Sequence, residues 1–388
     1  MNKTKQPGIL SRFSGRELGL IPVLLGLVII WIIFQVVNQN FLSGRNLSNL
    51  IIQMVEIGML GIGETFILLL GEIDLSIASI SGVSAAVLVL MSNGGVNPWV
   101  AIIAAIAIGA LIGLFQGVWV TYIGVPAFIV TLAGSFALQG VLLMMLGSTG
   151  TVPITNQTIL NITSTYLPKS VGWIILIVVA ILYYLISWKA QRNRQAFDLP
   201  TSRSALYGKT ALLVIISIIV FVVLNSYNGV PIAGLILLIF IVFFSFVTSS
   251  TPYGRHIYAL GGNAEASRRS GIKIKGIRLS VFILSGAMGA IGGIIGASFL
   301  GSASPASGGG NLQMDAIAVA VIGGTSLFGG RGSVWNALVG ALVIGSVENG
   351  MDLLSAPSSV KYIVEGAILL LAVTIDTVAR RRRQRSGK

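Results

Sequence analysis

Apolar runs of about 20 residues recur from one end of this chain to the other, separated by short polar breaks. They fall near 19–37, 50–70, 75–92, 98–121, 126–146, 171–188, 211–225, 230–248, 277–300, 313–328, 334–350 and 360–378. A run of about 20 residues is the length that crosses about 30 Å of hydrocarbon as a helix. The pattern therefore predicts an all-α polytopic membrane protein with about 10–12 transmembrane helices. Two runs are weaker: 211–225 is short, and 313–328 is broken by Gly323 and Gly324, as in a partial or tilted segment. Lys3, Lys5, Arg12 and Arg16 precede the first run and no small-residue cleavage site follows it, so the first helix is expected to stay rather than leave as a signal peptide.

Loop charge fixes the orientation, because Lys and Arg collect on the cytoplasmic side. With the N-terminus inside, twelve crossings place Lys189, Arg192, Arg194, Arg203 and Lys209 inside, with the loop Arg255 to Arg278 and the tail Arg380–Arg383. Arg45, Lys169 and Lys361 then fall outside. Merging 171–188 with 211–225 would put one of the basic segments on the wrong face, so both are kept, and both termini are cytoplasmic. The longest outer loop, 147–170, is polar and rich in Thr and Asn, a surface that an external partner can touch.

Composition agrees: 54% of the 388 residues are hydrophobic and only 10% are charged. The net charge of +13 would suit a nucleic-acid partner in a soluble chain, but here it is a topology signal, and no nucleic-acid role follows. Without cysteine there are no disulfides, thiol nucleophiles or cysteine metal sites. The single histidine, His256, sits in a basic loop and cannot make a metal site alone, so no metal is expected.

The run GGTSLFGGRGS at 323–333 is rich in glycine, but a phosphate loop needs Gly-x4-Gly-Lys-Ser/Thr at a strand-to-helix junction. No lysine follows here, and the flanks are apolar. This chain is therefore expected to carry no nucleotide and no cofactor. Gly289 with Gly293, and Gly292 with Gly296, form small-xxx-small pairs that let helix backbones approach closely in lipid.

Acidic groups in membrane segments are costly and are functional candidates by default. Glu56, Glu64, Glu72, Asp74, Asp315, Glu348 and Glu365 qualify. Asp74 stands just before the run from Leu75, where a carboxylate can cap a helix start. In the functional reading Glu72 and Asp74 would face a central pathway, where carboxylates accept hydrogen bonds from solute hydroxyls; the two roles can coexist. For Glu56, Glu64 and Glu365, burial against a neighbouring polar helix is an equal alternative.

Four segments together resemble one family. GEIDLSIASISG at 71–82 resembles the Asp-Leu-Ser region of monosaccharide-importer membrane subunits, the ribose, xylose and galactose group of ATP-binding-cassette permeases. VPAFIVTLAG at 125–134 is similar to a second segment of that family, and TPYGRHIYALGGNAEASRRSGI at 251–272 to its cytoplasmic signature loop. The stretch DAIAVAVIGGTSLFGGRGSVWNALVGALVIGSVENGM at 315–351 is similar to its C-terminal region. The extra apolar pair at 171–225 makes the resemblance strongest to xylose-type permeases. Tyr253 departs from the pattern, which more often has Phe before Gly-Arg.

The resemblance implies a type II importer-like permease fold over 1–388, with 171–225 as an inserted helical pair and 251–278 as a cytoplasmic coupling loop. It implies that Glu72, Asp74, Ser76 and Asp315 belong to the substrate pathway. Gly254, Arg255, Asn263, Glu265 and Ala266 would belong to the ATPase contact. Locally, Gly254 is expected to permit a turn, and a short helix through Asn263–Ser270 to lie across the cytoplasmic face with Arg255, Arg268 and Arg269 exposed. The implied partners are an ATP-binding-cassette ATPase that holds ATP and Mg, a periplasmic or surface-tethered sugar-binding protein, a second copy of the permease and membrane lipid, in a bacterial inner membrane. The chain itself would be no enzyme. An ion-coupled secondary transporter, and a permease for branched-chain amino acids or another small solute, stand as alternatives.

Overall fold

The computed structural model describes residues 17–147, 150–196 and 203–385. Lys3, Lys5, Arg12 and Arg16 lie outside the described residues, as do the side chains of Arg194, Arg203, Lys209 and Arg380–Arg383. Fifteen α-helices occur among the described residues: α1 Glu17–Val37, α2 Gly44–Leu69, α3 Ile77–Asn93, α4 Pro98–Val118, α5 Ala127–Leu146, α6 Gln157–Ser164, α7 Lys169–Ala196, α8 Arg203–Asn225, α9 Ile232–Ser250, α10 Pro252–Gly262, α11 Ala264–Arg269, α12 Ile274–Leu300, α13 Leu312–Ile322, α14 Trp335–Leu353 and α15 Ser358–Arg385. Every apolar run of the sequence contains a helix. Among the described residues six helices are long and apolar enough to cross a membrane by themselves: α2, α4 with the π-helical turn Trp119–Ile123, α5, α7, α9 and α12.

Helix starts follow local chemistry. Ser43 Oγ accepts from Asn46 N at α2, and Asn97 Oδ1 accepts from Trp99 N at α4, with Pro98 in the first turn where no N–H is needed.

Contacts between connecting segments sort into two ends. At one end Val152 and Pro153 pair with Ala303 and Ser302, and Tyr166 and Leu167 with Pro231 and Val230. Asn93 Nδ2 donates to Pro153 O at 2.7 Å, and Asn38 Nδ2 to Leu353 O at 3.4 Å. At the other end Glu72 meets Arg278 at 3.1 Å, Lys275 lies 5.1 Å over the Tyr122 ring, Gly330 N donates to Leu69 O at 2.9 Å and Tyr258 OH to Gly332 O at 3.0 Å. Along the chain these contacts alternate ends across α2, α3, α4, α5, α7, α8, α9, α12, α13 and α14. Leu167, before α7, and Val230, after α8, are hydrogen-bonded neighbours, so the two ends of this helix pair lie together.

Helix α2 is the centre of the bundle: 83% of its apolar window is buried, against 11% for α7. It packs on α12, α14 and α13, and α12 packs further on α4 and α3. Helix α7 packs chiefly on α8, and α8 on α2, so this hairpin stands at the edge of the bundle. Glycine sets the spacing. A Cβ at Gly289 would meet Ile77 and Ile80, and one at Gly293 the backbone of Ser81, so that pair seats α3. Gly292 and Gly296 face Leu60 and Glu56 and seat α2. A third contact, absent from the sequence expectation, brings α4 onto α12 through Gly109 against Gly286 and Gly113 against Phe282.

Candidate functional site

The segment between α2 and α3 is the first irregular backbone inside the bundle. Gly71, at φ +78°, turns the chain after Leu69, and α3 starts only at Ile77. Leu60 clusters with Ile77, Ala78 and Ala316, and it precedes the end of α2 by nine residues, about 14 Å at 1.5 Å per residue. Thus α3 and α13 both begin at about the middle of the membrane, where non-helical backbone is tolerated only if protein satisfies its polar groups. Side chains do so here. Leu75 N donates to Thr131 Oγ1 at 2.9 Å, Gln313 Nε2 donates to Asp74 O at 2.8 Å, and Ala78 N donates to Gln313 Oε1 at 3.1 Å.

Asp74 is buried, and its carboxylate is fully engaged. Oδ1 accepts from Ser76 N at 2.8 Å and Ser76 Oγ at 2.6 Å, and Oδ2 accepts from Ser285 Oγ of α12 at 3.0 Å. The capping expectation needs refinement, since Ser76 is the N-cap of α3 and Asp74 braces it from two residues before. Ser76 Oγ also lies 3.0 Å from Gln116 Oε1, while Gln116 Nε2 is buried with no hydrogen-bond partner. Exchanging the two amide atoms makes Gln116 donate to Ser76 and Ser76 to Asp74, a consistent relay. Glu64 of α2 is wholly buried beside the backbone and the carboxylate of Asp74. Glu72 points elsewhere: its pair with Arg278 sits at the cytoplasmic end, partly exposed.

A second acidic group lies toward the outer side. Ligand oxygens of Asp315, Glu348 and Glu365, from α13, α14 and α15, all lie within 4.8 Å of one another. Asn311 Nδ2 donates to Glu365, and the carboxylate of Glu56 of α2, which packs against Gly296, lies near Glu348. Asp315 and Glu365 are buried, whereas Glu56 and Glu348 keep partial access. Oxygen acceptors so grouped suit a hydroxyl-rich solute as well as a cation. Of the pathway candidates, then, Asp74 and Ser76 stay together, Asp315 stands two residues from their partner Gln313, and Glu72 is apart. Glu348 joins Asp315 only through tertiary packing, which sequence spacing does not reveal.

At the end of the bundle that carries Arg278, α10 and α11 form a ledge. The expected turn at Gly254 is corrected: Gly254 is buried within α10, and a Cβ there would strike the backbone of Thr248, so close approach to α9 demands the glycine. Thr251 caps α10 by accepting from Gly254 N at 3.3 Å. Asn263 caps α11 by accepting from Ala266 N at 2.9 Å. Ile257 and Leu260 anchor the ledge, and the hydroxyl that distinguishes Tyr253 from Phe lies 2.8 Å from Ser280 Oγ. Arg255, Asn263, Glu265 and Ala266 are exposed together.

Glu265 accepts from Arg268 Nε and Nη2 and from Arg269 Nε, each at 3.0 Å. These bonds, chiefly those from Arg268, hold its carboxyl below the usual range. Their contribution is present above the ordinary carboxylate pKa and is lost as pH falls through the lowered one. Because the pairs are exposed, Glu265→Gln is expected to leave the melting temperature in detergent at pH 7 unchanged; a large drop would mean the pairs hold the ledge together.

The geometry is that of a polytopic helical bundle with a buried polar centre and a ledge of two short helices at one end. Residues 46–373 match the family of branched-chain amino acid transport system / permease components. The chain is 42% identical to the xylose transport system permease protein of Escherichia coli over 346 residues, 88% of this chain and 87% of that one. It is 40% identical to the corresponding protein of Haemophilus influenzae over 358 residues, 92% of this chain and 95% of that one. To the ribose import permease protein of Bacillus subtilis it is 32% identical over 352 residues, 91% of each. No solved structure matches the chain. The chain belongs to this family of transport-system permease components and is a multi-pass membrane protein.

Proposed function

We propose that this chain is the membrane-spanning subunit of an ATP-driven importer in a bacterial inner membrane, and that its solute is a monosaccharide, with D-xylose the first candidate. The observation that carries the reading is the 42% identity, over 88% of the chain, to a xylose transport system permease. A second copy of the chain, a separate ATPase holding ATP and Mg, and a sugar-binding protein outside would complete the machine. No bond in the sugar changes. The ATPase closing on ATP moves α10 and α11, and the bundle exposes its polar centre first to one side and then to the other. The pathway would run past the starts of α3 and α13, where Asp74, Ser76 and Asp315 lie near Gln313 and the exposed Met314.

Proteoliposomes holding the chain, its ATPase and its binding protein should accumulate D-xylose only with ATP, and the isolated chain should hydrolyse none. Uptake abolished by an uncoupler at constant ATP would establish an ion-coupled transporter instead. Accumulation of leucine in place of sugar would establish the amino-acid reading, which the family description favours. The α7–α8 hairpin is read as lipid-facing scaffold away from the axis between copies. High-yield cross-linking of Ile177 to its own copy in the partner would contradict that, and little or none is expected.

A further inference from the structure

We propose that the glycine-rich run 323–333 links the ATPase-facing ledge to the mid-membrane polar centre. The proposal rests on the reading of α10 and α11 as the ATPase contact. The run joins α13 to α14, with positive φ at Gly324, Gly329, Gly330 and Gly332. Gly330 N donates to the carbonyl of Leu69, the last residue of α2, at 2.9 Å. A Cβ on Gly261, near the end of α10, would collide with that same carbonyl and stand 2.6 Å from Gly330 N. One on Gly329 would stand 2.6 Å from Gly261 O and 2.9 Å from Gly71 N, and one on Gly330 would stand 2.8 Å from Gly262 Cα. The ends of α2 and α10 and this turn therefore meet backbone to backbone. Tyr258 of α10 fastens the junction through its hydroxyl bond to Gly332 O at 3.0 Å.

Close-packed backbone passes on a displacement, whereas a layer of rotatable side chains can absorb one. Two outputs leave the junction. Through Leu69–Gly71 it pulls on the extended segment that carries Asp74, only three residues beyond Gly71. Through the turn it pulls on α13, whose first-turn Gln313 is bonded to Asp74 O and Ala78 N. Both converge on the residues where α3 begins. The glycines that resemble a phosphate cradle thus serve contact between backbones, and the side chains they lack would hold the three elements apart.

The test uses the whole transporter in proteoliposomes. Gly261→Ala, at a partly buried position whose added Cβ meets Leu69 and Gly330 and not the exposed face of the ledge, should keep the ATPase in co-purification while sugar moved per ATP falls about tenfold, within the range for residues along a coupling network. Tyr258→Phe should show a smaller loss of the same kind. Gly140→Ala in α5 is the control, since its added Cβ meets nothing within 4 Å and it lies outside the ledge, and it should match the parent. If Gly261→Ala does not fold, Tyr258→Phe carries the test alone. Parental sugar per ATP in Tyr258→Phe, or an equal loss in Gly140→Ala, overturns the proposal. Loss of the ATPase from Gly261→Ala also overturns it, because the glycine would then shape the docking surface. Retention of the ATPase by Arg255→Glu refutes the ledge reading instead, so the two failures are distinct.

Discussion

Arg255→Glu and Ala266→Trp should each weaken co-purification of the ATPase by roughly thirtyfold, the equivalent of about 2 kcal/mol at an interface hot spot, while membrane insertion and melting temperature stay near parental values. Both positions are exposed on the cytoplasmic ledge, outside the hydrocarbon, so neither change disturbs the packing that holds the bundle in lipid. Ala266 donates its backbone N–H to Asn263 Oδ1, a bond that tryptophan retains, so α11 should keep its cap. Reversing the charge at 255 and adding bulk at 266 remove contacts only if a partner seats there. Normal co-purification and normal sugar-stimulated hydrolysis in both variants would reduce the ledge to an anchor at lipid headgroups.

What the sequence makes legible here is what depends on one segment at a time. Twelve apolar runs and the distribution of basic loops are local properties, whereas the pairing of Leu167 with Val230, which brings the ends of α7 and α8 together, is not. The four-residue spacing of Gly289 with Gly293 and of Gly292 with Gly296 predicts close approach, but not that the two pairs serve different neighbours, α3 and α2. At Gly254 a glycine in a polar stretch suggested a turn. The cause is steric, from the Thr248 backbone, and it appears only when α9 and α10 are folded together.

The same limit governs the polar centre. Asp74 and Ser76 are neighbours in sequence, yet their other partners, Ser285, Gln116 and Gln313, come from three different helices. Glu348 and Glu365 stand 33 and 50 residues beyond Asp315, so no spacing rule gathers them; the crossing of α13, α14 and α15 does.

Asp74→Leu should lower stability by about 3–5 kcal/mol, the range for breaking a buried charged network by removing one partner. Leucine would leave Ser76 N, Ser76 Oγ and Ser285 Oγ without their acceptor in a site only 1% exposed. The hydroxyls can rotate toward helix carbonyls, but Ser76 N, ahead of the first turn of α3, has no such freedom. Asp74→Asn is different, because Oδ1 still accepts from Ser76 and the amide can donate to Ser285 Oγ, with charge as the main loss. Its expression and melting temperature should stay close to parental, while sugar uptake falls about tenfold if the carboxylate contributes one charge-assisted bond in the working cycle. Thermal unfolding in detergent and uptake in proteoliposomes measure the two effects separately. Should Asn transport normally while Leu unfolds, Asp74 is a brace for the start of α3 and has no part in the pathway.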